Sequence, residues 1–374
     1  MREGWSYKKL GEVCEVFDSM RKPVTKKDRK EGNYPYYGAT GIQDYVDSYL
    51  FDGRYLLVGE DGAKWGANEG TAFIIEGKSW VNNHAHIIQL NKDVNDILVK
   101  YYLNFKDLSD YITGAVVPKL TQQALKNIQI PIPPHTTQQQ IVSELDLLSH
   151  ILDQKRQQLK EYDALAESIF YDMFGDPVDN PKGWEKKRLS EVCEYIVDGD
   201  HMPPPKSDTG IPFITISNVD KENKTIDFTS TYFVPNDYYN NLKEDHKPKV
   251  GDVLYTVTGS YGIPVLVKEE RPFCFQRHIG LLHPNKDLNS CFLFGWAGSH
   301  DAKRQADEVA TGIAQKTVSL KSLRQFEIPL PPLDLQRSFA AKIESIEHQK
   351  QLLRASIKET EMLFQSRMDY WFNG

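Results

Sequence analysis

The chain is written twice, and this duplication limits its architecture more than any other feature. Trp5-Ser6-Tyr7-Lys8-Lys9-Leu10-Gly11-Glu12-Val13-Cys14-Glu15 returns as Trp184-Glu185-Lys186-Lys187-Arg188-Leu189-Ser190-Glu191-Val192-Cys193-Glu194. A second block, Thr113-Gly114, Leu125 and Ile130-Pro131-Ile132-Pro133-Pro134, returns as Thr311-Gly312, Leu323 and Ile328-Pro329-Leu330-Pro331-Pro332. Each Pro-Pro pair opens a long helical segment, so the order is globule, helix, globule, helix. The second globule is longer, so insertions fall inside the globules while the frame repeats. A repeated frame around two divergent interiors predicts two readers of two different things on one scaffold.

The boundaries read as 1–134 and 176–332 for the globules, and 135–175 and 333–374 for the helices. The globules have a mixed α/β pattern. Short apolar runs at 55–58, 71–75 and 85–88 predict strands, as do 212–216, 252–257 and 279–282. Short helices are expected near 95–112 and 288–308. After the prolines, Thr136 and Asp334 are N-cap residue types, and Thr136 with Gln139, or Thr137 with Gln140, fits a capping box.

From there apolar residues recur at steps of four and three: Ile141, Leu145, Leu148, Leu152, then Lys155 and Leu159. The second segment repeats the spacing with Phe339, Ile343, Ile346, Lys350, Leu353 and Ile357. Such a seam predicts a coiled coil, and a helix over 138–173 is about 50 Å long. The seams match in phase and length, which favours mutual packing over each helix folding onto its own globule. Each helix leaves one globule and delivers the chain to the other, so the pair is expected antiparallel. The chain is thereby nearly closed into a circle with a pseudo-twofold axis.

A length of 374 residues fits two such domains. No apolar run reaches the ~18 residues of a membrane helix. The opening Met1-Arg2-Glu3-Gly4-Trp5 has no leader-like apolar stretch, so a cytoplasmic chain is expected. Cys14, Cys193, Cys274 and Cys291 are too scattered for a disulfide framework or a zinc site. Cys14 and Cys193 are repeat equivalents and read as small core residues. The net charge of −7 argues mildly against nucleic acid. The acidic excess lies partly on the segment 135–175, while Arg21, Lys22, Lys26, Lys27, Arg29 and Lys30 form one basic run.

Catalytic motifs fail on inspection. Gly77-Lys78-Ser79 resembles the end of a phosphate-binding loop, but Ala72 stands where its first glycine is required. Neither Pro133-Pro134 nor Pro331-Pro332 follows an acidic or amide residue, as an adenine methyltransferase loop would. Glu185-Lys186-Lys187 fits a nuclease Glu-x-Lys only at a chance level. His84 and His86 share one face of an expected strand, without a convincing carboxylate to complete a metal site.

The duplicated Trp-x-x-x-x-Leu-x-Glu-Val-Cys opening resembles the specificity subunit of type I DNA restriction-modification systems. So do the Thr-Gly…Leu-x-x-Ile-x-Ile-Pro-Ile-Pro-Pro block and the Gln-rich helix start. The resemblance covers essentially the whole chain. It implies two target-recognition domains, each reading one half of a split DNA site, and two spacer helices. It also implies a subunit with no catalytic activity of its own, docking two modification subunits and then restriction subunits. S-adenosylmethionine, ATP and Mg²⁺ would belong to those partners. Two other classes compete: a stand-alone nuclease with two DNA-binding lobes, and a purely structural dimerisation scaffold.

Base reading needs side chains that reach base edges from loops. In the first globule Gln43, Lys64, Asn82, Asn83, His84 and Lys119 qualify, with the basic run on phosphates. In the second, Ser217, Asn218, Ser260, Tyr261, Gln276, Arg277, His278, Gln315 and Lys316 qualify. Gln276 and Arg277 align with Asn83 and His84. The competing role for Arg277 is an ion pair with Glu269 or Glu270.

Overall fold

A computed structural model describes residues 4–114, 116–312 and 315–373; Met1 to Glu3, on which the leader argument partly rests, lie outside the described residues. The chain divides into two compact units, Met1–Arg156 with Ala355–Gly374, and Gln157–Arg354. The division falls within the two long helices, so each unit holds one globule and half of each helix.

In the first unit six strands form one sheet, in the order Cys14–Val16, Ala85–Leu90, Phe51–Gly59, Ala72–Val81, Glu31–Gly38 and Gly41–Val46. Its neighbours are antiparallel except where Glu31–Gly38 meets Ala72–Val81. The consecutive apolar residues Leu56, Leu57 and Val58 lie in Phe51–Gly59, the third strand in that order, whose two faces are both covered. Leu56 and Val58 pack with Leu10, Leu98 and Ile141 on one face. Leu57 packs with Phe51, Ile75 and Ile87 on the other. Each such side chain contributes roughly 1.5–3 kcal/mol on burial.

The second unit repeats the central pairing with Cys193–Asp198, Ile279–Pro284, Val253–Thr256 and Pro264–Leu266. Where the first unit runs one strand over Ala72–Val81, the second has two short ones, Pro264–Leu266 and Cys274–Phe275. Between them lies Glu269-Glu270-Arg271-Pro272, and Pro272 has no N–H to continue a ladder. Cys274–Phe275 instead pairs in parallel with Ile211–Ile214 in a separate three-stranded sheet.

The proline blocks do similar work in both units. Gln129–Ile132 pairs antiparallel with Ser6–Lys9, and Glu327–Leu330 with Glu185–Arg188. The helices then run over His135–Phe174 and Leu333–Asn373. Both begin before the expected caps: Thr136 and Asp334 are already helical, and the first-turn N–H groups of Gln138 and Gln336 bond the Pro134 and Pro332 carbonyls. The side chains of those two glutamines are buried. Gln138 donates to the carbonyls of Pro133 and Asp93 and accepts from the Asn95 N–H. Gln336 does the same with Pro331, Asp287 and Asn289. A proline-ended strand cannot easily feed a helix without such a clamp, because its carbonyls need donors.

Within the first unit, Arg367 and the Trp371 indole bond Glu144, and the Lys155 ammonium bonds the hydroxyls of Ser356 and Thr360. Numbers rise along one helix as they fall along the other, so the pairing is antiparallel. The second unit has the same sense, with Lys350 on Asp163 at 2.6 Å and Phe339 against Phe170 and Phe174. Ile141, Leu145, Leu152, Phe339, Ile346, Leu353 and Ile357 are buried, and Leu148, Leu159 and Ile343 are half-buried. No helix among the described residues is long and apolar enough to cross a membrane. The four cysteines are unpaired; burial pushes the thiols up to about 11 at Cys14 and about 12 at Cys193.

Candidate nucleic-acid interface

In each unit three separate segments meet at one end of the central strands. In the first, the Glu60 N–H bonds the His84 carbonyl at 2.8 Å, and the Leu120 N–H bonds the Glu60 carbonyl at 2.8 Å. Asp61 and Lys119 form an isolated bridge. In the second, Val257 bonds the His278 carbonyl at 2.9 Å, Val318 bonds the Val257 carbonyl at 2.8 Å, and Thr258 bridges Thr317. The two clusters therefore share one backbone plan.

This plan corrects the repeat alignment by one residue. His278 occupies the position of His84, so Gln276 matches Asn82 and Arg277 matches Asn83. Strand register agrees, since Val81 pairs with Tyr37 as Phe275 pairs with Ile214.

Several expected readers are used up by the fold. Arg21 is not a phosphate clamp. Its side chain is only 11% exposed and bonds the Glu60 carboxylate at 2.5 Å and the Ala85 carbonyl at 2.7 Å. Asn82 is buried, donating to Gln43 and accepting from the His84 N–H. Asn218 is buried, bound to Thr215 and Ser230. Their short amides fix loop backbone, which residue type and loop position alone do not distinguish from base reading.

Others are at least partly exposed and are engaged by the fold. His84 bonds Asp61, Lys119 bonds Glu60 at 2.6 Å, and Lys64 lies 3.8 Å from Glu69. Ser217 bonds Thr215, Ser260 accepts from Lys221, and Tyr261 donates to Asp307 beneath the Lys303 ammonium. Arg29 bonds Asp44 and lies over Tyr36. A further group makes no side-chain hydrogen bond or ion pair among the described residues: Lys22, Lys26, Lys27, Lys30, Asn83, Gln276, Arg277, Gln315 and Lys316. Arg277 pairs with neither Glu269 nor Glu270. It lowers the affinity of neighbouring His278 for a proton, second to that ring's partial burial.

Beneath the first cluster lies a charged network that sequence reasoning missed. Glu60 is 7% exposed and takes Arg21 on one carboxylate oxygen and Lys119 on the other. The ring of His86 is fully buried, with Nδ1 2.6 Å from Asp18 and Nε2 2.7 Å from the Leu120 carbonyl. Both neighbours are hydrogen-bond acceptors. Asp18 also accepts from Gln122 and the Ile87 N–H. Burial raises its carboxyl pKa, but these bonds and the His86 charge outweigh it and hold the group below the usual carboxylate range. Asp18, Glu60 and His86 offer three ligand atoms within 4.8 Å of one another. The donor set does not suit a metal, because their oxygens already accept from Arg21, Lys119, His86 and Gln122. His84 and His86 do not form a pair either: His84 is at the surface and His86 is in the core.

Residues 2–161 and 181–362 match the type I restriction modification DNA specificity domain. A putative type I restriction enzyme specificity subunit of Haemophilus influenzae is 26% identical over 352 residues, covering 91% of this chain and 87% of that protein. The specificity subunit of the MjaVIII type I restriction enzyme of Methanocaldococcus jannaschii is 23% identical over 387 residues, covering 96% and 89%. Among solved structures, the S subunit of a type I restriction-modification system from M. genitalium shares the fold. Its TM-score is 0.57 at 13% identity, covering 97% of this chain and 95% of that one. The two matched segments take up most of the sequence and coincide with the two copies of the frame, and on that basis the chain belongs to the type I restriction-modification specificity family.

Proposed function

We propose that this chain is the DNA-recognition subunit of a type I restriction-modification complex, reading a bipartite, asymmetric site and carrying no catalysis itself. The observation behind this reading is one backbone plan repeated with different side chains at the meeting point of three loops. Identical readers would suit a palindrome. Here Asn82-Asn83-His84 stands opposite Gln276-Arg277-His278, so the two half-sites should differ. Exposed, unengaged groups suit base edges: Asn83 for adenine, Arg277 for guanine, Gln315 for adenine. Lys22, Lys26 and Lys27 suit phosphates, which fix register without carrying sequence information.

The near-neutral charge of the globules fits a protein that shares its phosphate grip with partners. Those partners are two adenine-modifying subunits using S-adenosylmethionine, joined by ATP-dependent restriction subunits. The four domains run 1–134, 135–175, 176–332 and 333–374, with the helices setting the spacing between half-sites. One duplex turn is ~34–36 Å, so a helical spacer of about 50 Å suits half-sites a turn or somewhat more apart.

Mapping methylated adenines in DNA exposed to the chain with its modification subunits tests this. The expected result is one split, non-palindromic motif. A palindromic motif, or duplex cleavage by the pure chain with Mg²⁺ alone, would overturn it.

A further inference from the structure

Among the described residues the second unit repeats the edge of the Glu60 network, with Asp198 bonding His201 three residues on as Asp18 bonds Arg21, but not its centre, although the surrounding backbone is shared. Hydrogen-bond register places Val257 at the position of Glu60 and Thr317 at that of Lys119. His86 pairs with Val58, and in the same register Gly280 pairs with Tyr255. Gln122, one residue past the N-cap Thr121, matches Leu320, one past the N-cap Ser319. A side chain built on Gly280 would meet Leu320, Leu323 and Val257. The space that holds Glu60 and His86 in one unit thus holds hydrocarbon in the other.

The frame therefore closes without these charges. Buried ionic clusters are seldom more stabilising than well-packed apolar groups of the same volume. A buried carboxylate present at this position in only one unit points to that unit's own task. Its geometry shows which task. The Glu60 carboxylate joins Arg21, which bonds the Ala85 carbonyl and lies 3.5 Å from that of Asn83, to Lys119 on the short ribbon Lys119–Leu120. Glu60 itself begins the loop that carries Lys64. One carboxylate thus ties together three of the segments bearing candidate readers.

We propose that Glu60 is a positioning residue for specificity in the first half-site, fixing Asn83 and Lys119 relative to one another through its two ion pairs. This rests on the DNA-recognition reading above. Glu60 does not touch DNA in this account. It acts by limiting the rotamers and backbone positions from which Asn83 and Lys119 approach the duplex, so its loss costs discrimination more than affinity. In the second unit Val257 packs near Leu320 and Leu323 instead, and its discrimination is independent of Glu60.

The test uses the chain assembled with its modification subunits. Affinity is measured for the cognate duplex and for single-base variants in each half, with the thermal midpoint alongside. Glu60→Gln should reduce discrimination in the first half by at least about fivefold, within the range one bidentate contact supplies. Discrimination in the second half should stay at the wild-type ratio. The double variant Glu60→Val with Lys119→Thr copies the apolar arrangement of the second unit and guards against simple misfolding; it should also lose first-half discrimination. Early melting with unchanged base ratios in both Glu60 variants would overturn the proposal and make the network purely structural. A wild-type complex that discriminates at neither half would instead overturn the DNA-recognition reading itself, and this inference with it.

Discussion

Gln138 donates its side-chain amide to the Pro133 carbonyl at 3.0 Å, five residues back across the start of a helix. The same amide reaches Asp93 and accepts from Asn95, so one side chain locks the proline block, a loop and the helix entry together. Replacing it with alanine leaves a buried N–H and carbonyls without partners. Each such group costs about 1–3 kcal/mol. Gln138→Ala should therefore lower stability by at least about 2 kcal/mol, read by urea unfolding, and Gln336→Ala should match it. A loss below ~0.5 kcal/mol, typical of neutral surface changes, would show that the clamp contributes nothing.

The helix pair supplies a second test. Leu152 is 7% exposed on the seam. Leu152→Asp buries an uncompensated carboxylate and should cost several kcal/mol. Lys155, three residues on, donates only to uncharged oxygens of Ser356 and Thr360. Lys155→Met removes a partly buried ammonium that has no ion-pair partner there, and should be neutral or stabilising by ~1 kcal/mol. Thermal melting of the two variants should move in opposite directions, or only the first should move.

These examples mark what was legible in the sequence. The four-three seam and the proline frames are local patterns, readable because helix period and strand alternation repeat over short distances. The strands at 55–58, 71–75 and 85–88 were readable for the same reason. The Glu60 network was not. Its members, Asp18, Arg21, Glu60, His86 and Lys119, are brought together only by sheet pairing and loop return. Arg21 looked like part of a basic run because a run is visible without its carboxylates. Asn82 and Asn218 looked like readers because amides on loops serve base edges and loop backbone equally well. The one-residue misalignment of Arg277 arose where loops of unequal length join the repeats, and hydrogen-bond register resolves it.

Acid should expose the first network. The Asp18 pKa is lowered in the folded protein, with burial opposed and outweighed by bonds from His86, Gln122 and Ile87. A lowered carboxyl contributes stability that is fully present above its unfolded pKa of ~3.9 and is lost as pH falls through the folded value. Stability should thus fall below about pH 4, and Asp18→Asn should flatten that limb while lowering stability at pH 7. Urea midpoints from pH 7 down to pH 2 check this. Parallel acid limbs for variant and wild type would contradict it.

Arg277 is exposed and makes no side-chain hydrogen bond or ion pair among the described residues. Arg277→Ala should leave stability within about 0.5 kcal/mol. It should relax one base of the second half-site by ~1–3 kcal/mol, as loss of a bidentate guanine contact would. Lys26→Ala, by contrast, should weaken binding to all sequences alike and shallow the salt dependence by about one unit. Titrations against single-base duplex variants at several salt concentrations separate the two. An Arg277→Ala protein that melts early while reading bases as wild type would assign the residue to structure.

The central claim is that one frame carries two independent readers. It is tested most directly by exchanging residues 176–332 for the equivalent domain of another specificity subunit and mapping the methylated adenines made with the modification subunits. The account predicts a motif whose first half is unchanged and whose second half is that of the donor. A map in which both halves change would contradict it.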